Sequence, residues 1–99
     1  MRLTGAEVEA IRSCARRHFG EGCVVRLFGS RTDDALRGGD IDLHVEADRP
    51  DRAHLSNELA FRADLQDRLG EQRIDVILRP PAYTPRTIDR VAIQTGVAL

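Results

Sequence analysis

Apolar residues recur at helical spacing near the start of the chain, at Val8, Ile11, Ala15 and Phe19. Thr4 followed three positions later by Glu7 has the form of a capping box, so a first helix is expected from about Gly5 to Phe19. Gly20 and Gly22 end it, and the β-branched and aromatic run Cys23–Phe28 (CVVRLF) predicts a buried strand that Gly29 breaks. From Asp40 to Val45 (DIDLHV) the pattern becomes strict alternation. Asp40, Asp42 and His44 then share one face of a strand, and Ile41, Leu43 and Val45 share the other. Between Asp51 and Leu69, the residues Leu55, Leu59, Phe61, Leu65 and Leu69 predict a second long helix that Gly70 closes. Arg73–Leu78 (RIDVIL) reads as a third strand with Asp75 as its one acid, stopped by Pro80-Pro81. After Pro85 a short helix through about Gln94 and a terminal VAL stretch complete the pattern.

Helices alternating with three strands indicate a small α/β domain, one unit over residues 1–99, with its sheet covered mostly by the helices. No repeat, low-complexity tract or interdomain linker interrupts it. Periodicity alone leaves the strand order open. The stretch Ser30–Gly39 (SRTDDALRGG) is small, polar or charged, and reads as a loop with at most one helical turn across Thr32–Leu36.

Composition narrows the chemistry. All 15 basic residues are arginine, which removes a Walker A phosphate loop, a kinase lysine and a Schiff base, and leaves a rigid fork suited to phosphate and carboxylate. A formal net charge of −1 does not provide the broad positive field of a protein whose main partner is duplex nucleic acid. Cys14 and Cys23 are too few and too isolated for a disulfide framework or a paired zinc site, so the reducing cytoplasm is the default compartment. No signal-peptide core and no apolar run of the ~20 residues that span a bilayer is present, so no membrane is expected.

Aspartate is disfavoured inside strands, and two at i and i+2 on one face lie about 7 Å apart and repel. Asp40 and Asp42 can converge on a hard divalent cation, since Mg²⁺ takes one or two carboxylates together with water and substrate phosphate. Asp75 sits in a separate apolar run, where an unpartnered carboxylate is costly to bury. If its strand pairs beside Asp40–Val45, three carboxylates surround one point. Each acid taken alone reads more readily as a strand-edge or solvent-facing residue than as a ligand. Gly29-Ser30, directly after an apolar strand and upstream of the acidic pair, changes that balance.

FGSR at Phe28–Arg31, DIDL at Asp40–Leu43 and a later apolar strand bearing an aspartate together resemble the minimal nucleotidyltransferases of the DNA polymerase β superfamily. The resemblance covers nearly the whole chain, including the opening helix and the closing short helix with Gly96-Val97. It implies a mixed sheet flanked by helices, with the Gly-Ser turn and the acidic strand facing one nucleotide cleft. Gly29 would let backbone approach a triphosphate, while the Ser30 hydroxyl and nearby amides donate to its oxygens. By the same resemblance Asp40 and Asp42 hold Mg²⁺ or Mn²⁺ on the β- and γ-phosphates of ATP. With Asp75 they hold a second metal at the acceptor hydroxyl, in a two-metal site.

Arg31 either reaches a phosphate or is a loop arginine paired with Asp33 or Asp34. Arg37 beside Gly38-Gly39 reads chiefly as part of a flexible turn, and Arg79, beyond the third strand, is a weaker phosphate candidate still. His44 is expected to support or pack against the site instead of reacting in it. Cys14 and His18, four residues apart, read as helix packing because no fourth ligand accompanies them. His54 carries no readable signal.

Larger relatives with these motifs carry a further helical domain that holds the acceptor. The resemblance to minimal nucleotidyltransferases encoded beside small helical HEPN-like proteins implies an antitoxin that transfers AMP from ATP to a partner's tyrosine, in a homo- or hetero-oligomer. A competing reading is a non-catalytic nucleotide-binding module that neutralises a helical partner by contact. An RNA-directed terminal transferase is disfavoured by the missing basic tract and by an aromatic content of 4%, which offers few platforms for stacked bases.

Overall fold

A computed structural model describes residues 3–29, 41–70 and 72–99. Helix α1 (Gly5–Phe19) leads to strand β1 (Val24–Phe28), strand β2 (Ile41–Glu46), a 3₁₀ turn (Pro50–Arg52), helix α2 (Leu55–Leu69), strand β3 (Ile74–Arg79), helix α3 (Thr87–Thr95) and the two-residue strand β4 (Val97–Ala98). The capping box at α1 forms as expected. Glu7 N–H donates to Thr4 Oγ1 at 3.1 Å, and Thr4 N–H donates to the Glu7 carboxylate at 2.9 Å, which satisfies two of the amides a helix start leaves without partners.

The four strands form one mixed sheet in the order β3-β2-β1-β4. Antiparallel pairing sets Phe28 opposite Asp42 and Leu27 opposite Leu43. Parallel pairing sets Asp42 opposite Asp75 and Val45 opposite Leu78. A parallel pair needs a crossover between its strands, and α2 provides it. The mixed sheet flanked by helices is the expected fold class.

Alternation along the strands separates two faces. Val25, Leu27, Ile41, Leu43, Val45 and Ile74 form one apolar core with Ile11, Cys14, Ala15 and Phe19 of α1 and Phe61 and Leu65 of α2. The rings of Phe19 and Phe61 meet at 4.9 Å between centroids, an aromatic contact that adds to the area they bury. The opposite face carries Arg26 and Phe28 on β1, Asp42, His44 and Glu46 on β2, and Asp75, Ile77 and Arg79 on β3. Helix α3 crosses this second face and buries Asp89 and Ala92.

Several boundaries differ from the sequence reading. The strands begin at Val24, Ile41 and Ile74, each one residue later than expected; Cys23 and Arg73 precede the first paired positions of β1 and β3, and Asp40 lies outside the described residues. The charged stretch after Asp51 enters α2 through the 3₁₀ turn that Pro50 starts, where proline's fixed φ suits a first helical position and its missing amide costs nothing. Among the described residues no helix is long and apolar enough to cross a membrane.

Candidate active site

The parallel β2–β3 register brings two acids that lie far apart in sequence into one row. Asp42 and Asp75 are Cα partners on neighbouring strands, so their side chains leave the same face of the sheet side by side. Directly opposed like charges destabilise a sheet. Asp42 is half-buried, and the Asp75 side chain is 46% exposed with Arg73 Nε 3.7 Å from its Oδ2. That arginine is itself mostly exposed, so the pair contributes little.

Gly29 closes the site from β1. It lies at φ +79°, and a Cβ placed on it would stand 2.5 Å from Asp42 Oδ2. Both features require glycine, one through the left-handed backbone and the other through the space a methyl group would take from the carboxylate. Gly29, the first residue after β1, therefore lies directly against Asp42 of the acidic strand. Ser30, Arg31, Arg37 and Asp40 fall outside the described residues. Among the described residues no three metal-ligating side chains converge; Asp42 and Asp75 are two acids that the register aligns.

These residues fit a hard cation. Carboxylate oxygens on adjacent strands are ligands of the kind Mg²⁺ or Mn²⁺ takes, and the space beside Gly29 is taken by the Asp42 carboxylate.

Farther along the same face lies a buried polar cluster. His44 and Asp89 have no exposed surface. His44 Nε2 is 2.8 Å from Asp89 Oδ1, Arg79 Nε donates to that oxygen at 2.9 Å, and Arg86 N–H donates to Oδ2 at 2.8 Å. Burial alone would push the Asp89 carboxyl up, but the hydrogen bonds from the Arg86 amide, His44 and Arg79 outweigh it and hold the group at about 2. An ionised carboxylate only accepts, so the His44 proton belongs on Nε2. His44 Nδ1 is buried with no hydrogen-bond partner among the described residues.

Tyr83 packs near the His44 ring at 6.0 Å between centroids and donates to Glu46 at 3.4 Å. Burial and the nearby Glu46 and Asp89 charges raise its hydroxyl above the ordinary value. Glu46 also bonds to Arg26 across the β1–β2 pair.

His44 is buried and bonded to Asp89. Arg79 turns toward Asp89, a contact the phosphate reading did not anticipate. Asp89 was not expected as a site residue, although helical spacing places it with Ala92 on the inner stripe of α3, where an acid is out of place without partners. Cys14 and His18 pack between helices. Burial raises the Cys14 thiol, and His18 Nε2 lies 3.0 Å from Asp64 Oδ2. His54 is the residue before α2 and makes no side-chain cap. No family model matches the chain, and no curated protein matches it.

Proposed function

We propose that the chain is a metal-dependent nucleotidyltransferase that moves a nucleoside monophosphate, AMP from ATP, to a hydroxyl on a partner protein. The observation that carries this reading is the alignment of Asp42 with Asp75 against a glycine whose missing side chain makes room for the Asp42 carboxylate. A pair of like charges on adjacent strands, beside a turn that admits close backbone approach, suits a bound cation and phosphate better than it suits stability.

In this reading Asp42, Asp75 and, by the motif, Asp40 hold Mg²⁺ or Mn²⁺. Bound metal supplies Lewis-acid stabilisation of phosphate charge and lowers the pKa of an attacking hydroxyl. The chain's own residues orient the reactants. Gly29 gives the triphosphate a close backbone, and Ser30 and Arg31 donate to its oxygens. The acceptor oxygen bonds to the α-phosphorus, the bond from that phosphorus to the bridging oxygen breaks, and pyrophosphate leaves with that electron pair. Asp75 lies on the outer strand and is the acid assigned to the acceptor hydroxyl, whose proton its carboxylate would accept as the new P–O bond forms. The acceptor favoured by resemblance is a tyrosine of a small helical HEPN-like protein, in a toxin–antitoxin pair.

The test combines purified protein, the product of the neighbouring reading frame, Mg²⁺ and each of the four triphosphates, followed by intact-mass measurement. Partner mass should rise by one or more AMP units with release of pyrophosphate, and Asp42→Ala or Asp75→Ala should abolish both. Absence of any modification with the wild-type protein overturns the reading. Neutralisation of the partner by the doubly substituted protein would identify a binding module instead.

A further inference from the structure

His44 and Asp89 are fully buried, yet they lie outside the apolar core and have no part in the transfer chemistry. A buried charged cluster adds little net stability over well-packed apolar residues of the same volume. Its directional bonds nevertheless admit few alternative arrangements. What they fix here follows from the elements they join.

Asp89 belongs to α3. Its Oδ1 meets His44 of β2 at 2.8 Å and Arg79 of β3 at 2.9 Å. His44 shares a strand and a face with Asp42, and Arg79 shares a strand and a face with Asp75. One carboxylate therefore ties the helix to both acid-bearing strands. Beyond the helix's C-terminal end, a Cβ on Gly96 would come within 2.3 Å of Ala92 O and 3.1 Å of Leu27 O. Leu27 precedes Phe28, the Cα partner of Asp42. Helix α3 is thus held at two points across the face that presents Asp42 and Asp75.

We propose that Asp89 is a positioning residue that seats α3, through His44 and Arg79, on the sheet face that carries Asp42 and Asp75, an inference that rests on the nucleotidyltransferase reading. His44 serves through its Nε2–H donor and carries no proton in the reaction. Loss of the seat misaligns the acids and the acceptor without removing a phosphate contact, so it lowers kcat far more than it raises KM for ATP.

Three variants test this, each assayed well below its own Tm: Asp89→Asn, which keeps the shape and loses the charge; His44→Leu, which removes the donor; and His44→Gln, whose amide can donate from near the Nε2 position. One readout is amide hydrogen exchange over Thr87–Thr95 in the protein without nucleotide. The other is pyrophosphate release from Mg·ATP with the acceptor protein in excess, resolved into kcat and KM. Asp89→Asn and His44→Leu should speed α3 exchange by about tenfold or more while α1 and α2 keep their protection, and should lower kcat by about tenfold with KM within about threefold. His44→Gln should stay within about threefold of wild type in both readouts.

Unchanged exchange overturns the proposal, as does faster exchange with full kcat, or a His44→Gln variant as slow in turnover as His44→Leu. Should Asp89→Asn fail to fold, Arg79→Gln removes one donor from a partly exposed side chain and is judged by the same two readouts. Wild-type protein that releases no pyrophosphate ends the transferase reading, while exchange still decides whether Asp89 seats the helix.

Discussion

Replacing Gly29 by alanine separates backbone strain from damage to the site. At φ +79°, a residue with a Cβ is disfavoured by about 1–2 kcal/mol. For a domain of this size each kcal/mol lowers Tm by about 4–8 °C, so strain alone predicts a drop of roughly 5–15 °C. Gly70 is the matched control, because it has φ +84° and a Cβ there would meet nothing within 4 Å. The two alanine variants should lose similar stability. They should differ in chemistry, since only at Gly29 would the methyl group stand 2.5 Å from Asp42 Oδ2 and force that carboxylate aside. A displacement near 1 Å at a reacting centre costs about a hundredfold in rate. Thermal circular dichroism measures the first effect, and AMP transfer below both midpoints measures the second. Equal transfer by the Gly29→Ala and Gly70→Ala proteins would refute the placement of Asp42 in the reacting site.

Asp75→Asn should abolish transfer yet leave the metal-free protein as stable as wild type or up to about 1 kcal/mol more so, because it relieves the opposition to Asp42 and gives up only an exposed pair with Arg73; a clear loss in urea unfolding would show that the acid is structural. Phe61→Ala removes a fully buried ring in contact with Phe19, and should cost about 3–5 kcal/mol, so a Tm within about 5 °C of wild type would contradict the core described above. Asp89 falls from 3.8 in the unfolded chain to about 2 in the fold, which at about 1.36 kcal/mol per unit is worth roughly 2 kcal/mol. Because the folded value is the lower one, this contribution is fully present above about pH 4–5 and disappears as pH falls through about 2. Urea midpoints across that range should decline less steeply in Asp89→Asn than in wild type, and parallel profiles would contradict the assignment.

Much of the scaffold was legible because local rules and tertiary packing agree. The limits of α1 follow from Thr4, Glu7 and Gly20, whose capping roles are satisfied within the helix and its ends. The DIDLHV alternation correctly separated the core face of Ile41, Leu43 and Val45 from the face of Asp42 and His44. Strand order was not legible, since alternation states which way a side chain points and nothing about which strand lies beside it. The pairing of Asp42 with Asp75 depends on the α2 crossover and was foreseen only as a condition. Asp89 was missed because its three bonding partners come from β2, β3 and the turn before α3, a conjunction no short window of sequence contains. Ser30, Arg31 and Asp40 lie outside the described residues, and their roles still rest on the motif.

The position of β3 at the outside of the sheet gives Asp75 a second consequence. An outer strand offers unpaired backbone donors and acceptors to any other extended chain, and Val76, Ile77 and Leu78 would make an adhesive template. Arg73, Asp75 and Arg79 place charge along that edge, and Pro80-Pro81 ends it where an added strand would need an amide. Removing Asp75 to test the proposed chemistry therefore also weakens a barrier to self-association. A polar replacement such as asparagine keeps the two effects apart better than alanine or valine does, and the edge ties the choice of acid to the solubility of the folded chain.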